Sequence, residues 1–181
     1  MSFLRPEGKE TNKLGVWGIE ERREYVHDPK DIAEAYLTES TVDIETARLT
    51  NINGLYSRTI HFSQECVEKI TKACLALREI FTRDHKTSTL FVAVFRGEIE
   101  NIDEIQKAAL ILEKHGARTR FPLYQRGDLP LWVPSKVYGP EEASDALKQG
   151  EFIYNTLKAF LEKEMRGRGG EPSESKVENK A

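Results

Sequence analysis

The feature that most restricts the fold of this chain is an unbroken apolar rhythm between Tyr56 and Phe81. Within "YSRTIHFSQECVEKITKACLALREIFTRDH" the positions Tyr56, Ile60, Val67, Ile70, Cys74, Leu77 and Phe81, with Ser63 at the missing step, alternate by four and three. At 3.6 residues per turn these positions fall in one arc, the period of a helix laid along partners in a bundle. Phe62, Cys66, Ala73 and Ile80 widen that arc on one side. A helix with so broad an apolar arc needs several neighbours, so it is expected at the centre of the domain.

The neighbours can be read from start and stop signals. Asp28 is a cap, Pro29 suits a first helical position, and Asp31 places negative charge at the positive end of the helix dipole. From there Ile32, Tyr36, Ser40, Val42, Ile44, Ala47 and Leu49 carry a helix to about Asn51, and Asn53-Gly54 turns it. A third helix lies in "IDEIQKAALILEKHG", with Asp103 and Glu104 in its first turn and His115-Gly116 as its end. The last starts at Gly139-Pro140-Glu141-Glu142, faces Ala143, Ala146, Leu147, Gly150, Ile153, Leu157, Phe160 and Leu161 inward, and fades near Met165. The apolar run Leu90 to Phe95 fits either a strand or a short buried helix.

Between the third and last helices, residues 117–139 carry three prolines and two glycines, which exclude a long regular element. Phe121, Tyr124, Leu131, Trp132, Val133 and Tyr138 make the same stretch apolar, so it is expected to pack over the bundle. Loops of more than about 12 to 15 residues within a domain are often functional. The expected architecture is all-α, an up-and-down four-helix bundle over residues 28–165 with a long apolar loop before the last helix. Residues 1–27 read as an irregular arm. Residues 166–181 are rich in Gly, Ser and charge, cannot repay their ordering entropy by burial, and are expected to be disordered.

A chain of 181 residues is long enough for one domain with a sufficient core. With 27 basic and 30 acidic residues the net charge is -3, which supplies no global field for nucleic acid and leaves only local patches. No apolar run reaches the roughly 20 residues of a membrane span, and the start "MSFLRPEGKE" lacks the apolar core of a signal peptide; a cytoplasmic protein with no membrane partner is expected. Cys66 and Cys74 lie about 12 Å apart along one helix, too far for a disulfide. Without clustered His or Cys they make a poor metal site, so buried structural thiols are expected, with no metal and no cofactor.

The order of these features resembles the HEPN family, small helical domains named for higher eukaryotes and prokaryotes nucleotide-binding. "HFSQECVEKITKACLAL" is similar to the family's second-helix pattern of Gln, a Glu-Lys pair and a Lys-Ala step, here Gln64, Glu68-Lys69 and Lys72-Ala73. His85 ahead of Leu90 resembles the family's His before an apolar segment, with a longer gap. "TRFP" at Thr119 to Pro122 is similar to the family's Thr-Arg-Tyr-Pro, and "VYGPEEASDALKQGEFIYNTLKAFL" resembles its final helix. The likeness spans about residues 30–163. It departs at Glu65, where a second Gln is usual, and at Phe121, where Tyr is common. The resemblance implies a four-helix core and frequent homodimers. It also implies one of three roles: pairing with a small nucleotidyltransferase in a toxin-antitoxin module, metal-independent ribonuclease activity, or non-catalytic binding.

Ribonuclease members carry Arg, four to six residues, then His. His can move a proton at the 2′-hydroxyl while Arg stabilises charge on the phosphate. Two pairs fit formally, Arg22 with His27 and Arg78 with His85; the second lies within the matched region and is the catalytic candidate. Gln64, Glu68 and Lys72 form neighbouring steps of one helix face, and Glu68 to Lys72 has the favourable order for an i, i+4 ion pair. That face is a solvated or interhelical ladder, or else one wall of a polar cleft. In the second case Lys72, His85 and Arg120 would receive phosphate, with Arg118, Arg120 and Arg126 folding over from the loop. The candidate ligand-binding set is Gln64, Glu68, Lys72, Arg118, Arg120 and Tyr138. The expected function is a HEPN-type binding protein acting through a nucleotide, RNA or a nucleotidyltransferase partner. A metal-independent endoribonuclease and a structural interaction module are the alternatives.

Overall fold

The computed structural model describes residues 27–124, 127, 128 and 130–167. Their helices run in the order α1 (Pro29–Ile52), α2 (Tyr56–Ala76), α3 (Ser88–Phe95), α4 (Ile102–Glu113), α5 (Pro134–Val137) and α6 (Pro140–Gly167), with a 3-10 turn at Gly116–Thr119. The domain is all-α. Helices α1, α2, α4 and α6 are the four long ones expected, and α3 shows that the ambiguous Leu90 to Phe95 run is a short buried helix. The helix at the end of the chain extends through Gly167. The expected arm, except His27, and residues 168–181 lie outside the described residues.

Local chemistry explains each boundary. Asp28 accepts a hydrogen bond from the Lys30 amide at 2.7 Å, with Pro29 in the first turn of α1. That helix ends where Gly54 turns left-handed (φ 70°), letting the Leu55 and Gly54 amides close back on the Thr50 and Asn51 carbonyls. Helix α2 ends the same way: the Ile80 amide bonds to the Leu75 carbonyl and the Glu79 amide to that of Ala76. The left-handed residue there is Glu79, φ 57°. The four-three rhythm runs on to Phe81, but the helix stops at Ala76, because this reversal returns Ile80 and Phe81 to the core in non-helical backbone.

Helix α2 packs most extensively against α1 and α6 and also touches α3, α4 and α5. Its Ile60, Val67, Ile70 and Cys74 are buried, as is Leu77 just beyond its end, as the rhythm requires, and both cysteines are buried and free. Ser63 fills the missing apolar step because Gly150 of α6 lies there. A Cβ on Gly150 would sit 3.2 Å from the Ser63 Cβ. Lys69 pairs with the buried Asp43 and ties α2 to α1.

The residues that carry α1 do not all face the core: Val42 and Leu49 are 52% and 61% exposed, and the packed face is Ala33, Ser40, Asp43, Ile44 and Ala47. Around the fully buried Ile44 this face is built of small side chains, with Ser40 donating to the Leu37 carbonyl, so α1 approaches closely. The loop before α6 is only half as packed as its composition suggests. Trp132 and Tyr138 turn inward, and Leu123 and Trp132 exchange amide-to-carbonyl bonds of 3.1 Å as one antiparallel pair. Phe121, Tyr124 and Leu131 stay exposed.

Candidate functional site

Ser57, His61, Gln64, Glu68 and Lys72 succeed one another on α2 at steps of three or four, so they form one seam along the helix. Helix α4 and the chain after it flank this seam: Ala109, Leu112 and Glu113 beside Gln64 and Glu68, then Arg120 and Pro122 beside Ser57. The two ends of the seam differ.

Toward the C-terminal end the polar groups are spent on one another. The buried Glu68 carboxylate accepts from Lys72 Nζ at 2.8 Å and from His85 Nδ1 at 3.0 Å. Because a carboxylate can only accept, the His85 proton sits on Nδ1, and Nε2 is the free nitrogen of a side chain that is 79% exposed. The Thr71 and Thr87 hydroxyls are 2.6 Å apart. Glu113 caps α3, accepting from the Ser88 amide and hydroxyl at 2.9 Å each. Side chains fill the recess enclosed by Gln64, Glu68, His85 and Leu112. Gln64 Oε1 is buried there with no hydrogen-bond partner among the described residues.

The structure gives Arg78 and His85 separate partners. Arg78 bonds to Glu98 at 2.6 Å and to Glu164 at 3.1 Å, and its guanidinium lies 5.3 Å from the centre of the Phe95 ring. It joins the end of α2 to α6. His27 is exposed, while Arg22 and Arg126 lie outside the described residues.

The loop candidates divide between two places. Arg118 stacks over Trp132 at 5.0 Å, and its carbonyl accepts the Trp132 indole N–H at 2.9 Å. Tyr138 is buried beside them with its hydroxyl 3.2 Å from His115 Nδ1, so burial pushes the phenol up and the imidazole down from their ordinary values. Arg120 lies instead at the N-terminal end of α2, over the Phe121 ring at 5.5 Å. There it meets Arg58, which the sequence reading did not single out. The charges of both bear on His61, whose pKa is lowered first by burial and further by Arg120 and Arg58, against the opposing charge of Glu65. The two arginines border a cavity of about 330 Å³ with Ser57, Ser135, Pro122 and Val133. One signal pointed to it: Arg58 stands in the first turn of a helix, where the dipole disfavours a cation.

Comparison with known proteins agrees with the helical bundle. Residues 33–160 match the HEPN domain. This chain belongs to the HEPN family. A curated relative of this HEPN protein, "Putative toxin MJ1304" of Methanocaldococcus jannaschii, is 31% identical over 135 residues, covering 71% of this chain and 88% of its own. Two solved structures share the helical fold. The archaeal HEPN homologue ST0689 superposes with a TM-score of 0.55 at 24% identity, over 71% of this chain and 97% of its own. TT1696 from Thermus thermophilus superposes with a TM-score of 0.61 at 20% identity, over 70% and 96%.

Proposed function

We propose that this HEPN protein is the helical half of a two-component toxin-antitoxin module. In this reading it is a homodimeric binding protein that engages a nucleotide or a nucleotidyltransferase partner. The supporting observation is the division of labour along α2. Arg78 is held by Glu98 and Glu164 and His85 by Glu68, so the two groups needed at one phosphodiester face different partners. Arg58, Arg118 and Arg120 are exposed and have no carboxylate partner among the described residues. A relative carrying a toxin name agrees with the module. The homodimer uses the exposed apolar stripe Val42, Leu49 and Ile52 of α1, and Leu49→Glu should leave a monomer in sedimentation.

One observation favours the nuclease reading: Glu68 holds His85 in the tautomer whose free Nε2 can take a proton from a 2′-hydroxyl. Both readings are tested on one preparation by calorimetry with AMP and ATP and by the integrity of RNA incubated with EDTA. Nucleotide binding with intact RNA is expected. Cleavage abolished by His85→Ala would overturn the binding reading in favour of the nuclease.

A further inference from the structure

We propose that the cavity at the N-terminus of α2 is a phosphate cradle that takes the phosphate of a mononucleotide, a site that rests on the nucleotide-binding reading and relocates it. Four observations converge there. Helix α2 begins without a side-chain cap, since Leu55 precedes it, and its first two amides, those of Tyr56 and Ser57, have no partner within the helix. That end carries the positive pole of a 21-residue dipole. Ser57, only 6% exposed, lines the cavity, and its hydroxyl has no hydrogen-bond partner among the described residues. Arg58 and Arg120 come from separate elements to the same cavity, and both bear on His61.

Two unpaired guanidiniums at the positive end of a helix repel each other and the dipole. A dianion relieves both repulsions at once. Arg forks match phosphate oxygens, while the Ser57 and Ser135 hydroxyls and free amides can donate to those that remain. The walls formed by Pro122 and Val133 are apolar, suiting the sugar or base, and about 330 Å³ lies within the range of small-ligand pockets. By contrast, the filled recess at Glu68 offers Lys72 no anion but Glu68 itself.

The test is calorimetric titration of the full chain with AMP, adenosine and inorganic phosphate, repeated on Arg58→Gln, Arg120→Gln, Ser57→Ala and, as a charge-matched control on exposed α4 surface, Lys107→Gln. Expected are AMP binding, adenosine weaker by about tenfold or more, and a loss of about tenfold for each arginine variant, the value of one charge-assisted contact. Ser57→Ala should weaken AMP severalfold while thermal stability is unchanged, because no internal bond is lost. Lys107→Gln should bind as the unaltered protein does. AMP binding that survives both arginine changes would overturn the cradle and leave the nucleotide reading standing. No binding of AMP by the unaltered protein would overturn both.

Discussion

The two ends of α2 carry similar residue types and do opposite things with them. At the C-terminal half, Glu68, Lys72 and His85 neutralise one another around a filled recess, and Arg78 clamps Glu98 and Glu164. At the N-terminal end, Arg58 and Arg120 border an open cavity with no carboxylate partner among the described residues, and a serine hydroxyl is left over. Polar residues satisfied internally hold a fold together, whereas unsatisfied ones on a concave surface are available to a ligand. The second-helix marker residues Gln64, Glu68 and Lys72 and the unpaired Arg58 therefore occupy different parts of α2, with Arg120 of the Thr119 to Pro122 motif beside Arg58.

That contrast can be broken most forcefully at Glu68. Its partner Lys72 has a side chain only 11% exposed, so Glu68→Gln leaves a nearly buried ammonium unpaired. A loss of about 3 kcal/mol in urea unfolding is expected, against less than about 0.5 kcal/mol for Arg58→Gln. Equal losses would dissolve the distinction. Next in size, Gly150→Ala forces a Cβ to within 3.2 Å of Ser63, midway along α2, and should cost about 2 kcal/mol by overpacking. Glu79→Gly acts in the other direction: relieving a left-handed glutamate at the end of α2 should add about 1 kcal/mol.

The smallest effect is a pH dependence located at the open end. Burial, with Arg120 and Arg58 adding to it, holds His61 below its ordinary value of 6.5. Between the folded and unfolded values the unfolded chain binds more protons, so this contribution is full above pH 6.5 and is lost as pH falls toward the folded value. His115, also lowered by burial, adds in the same sense. His61→Gln should flatten the slope in unfolding experiments between neutral and mildly acid pH. Nuclear magnetic resonance titration of Arg58→Gln should show the His61 value moving back up.

Much of the bundle was legible because local rules and tertiary packing agree. The Asp28-Pro29 start, the Asn53-Gly54 stop and the four-three rhythm each carry their own mechanism. Where tertiary contacts decided, sequence was silent. Glu79 ends α2 in a conformation normally signalled by glycine, so the boundary was hidden inside the rhythm. The pattern on α1 gave a helix but not its packed face, because Val42 and Leu49 are apolar yet exposed while Ala33, Ser40, Ile44 and Ala47 are buried. At the candidate site, the Glu68–Lys72 step was readable from spacing alone. Its capture of His85, and that of Arg78 by Glu164, join residues 17 and 86 positions apart, beyond any local pattern. Arg58 was missed for a related reason: its cavity forms where Arg120 and Pro122 and, further on, Val133 to Ser135 return to the start of α2.

The most direct test of this division is amide chemical-shift mapping as AMP is titrated into the protein. Shifts concentrated at Ser57, Arg58, His61, Arg120 and Ser135, with Lys72 and His85 nearly still, are predicted. Shifts concentrated at Gln64, Lys72 and His85 instead would contradict it.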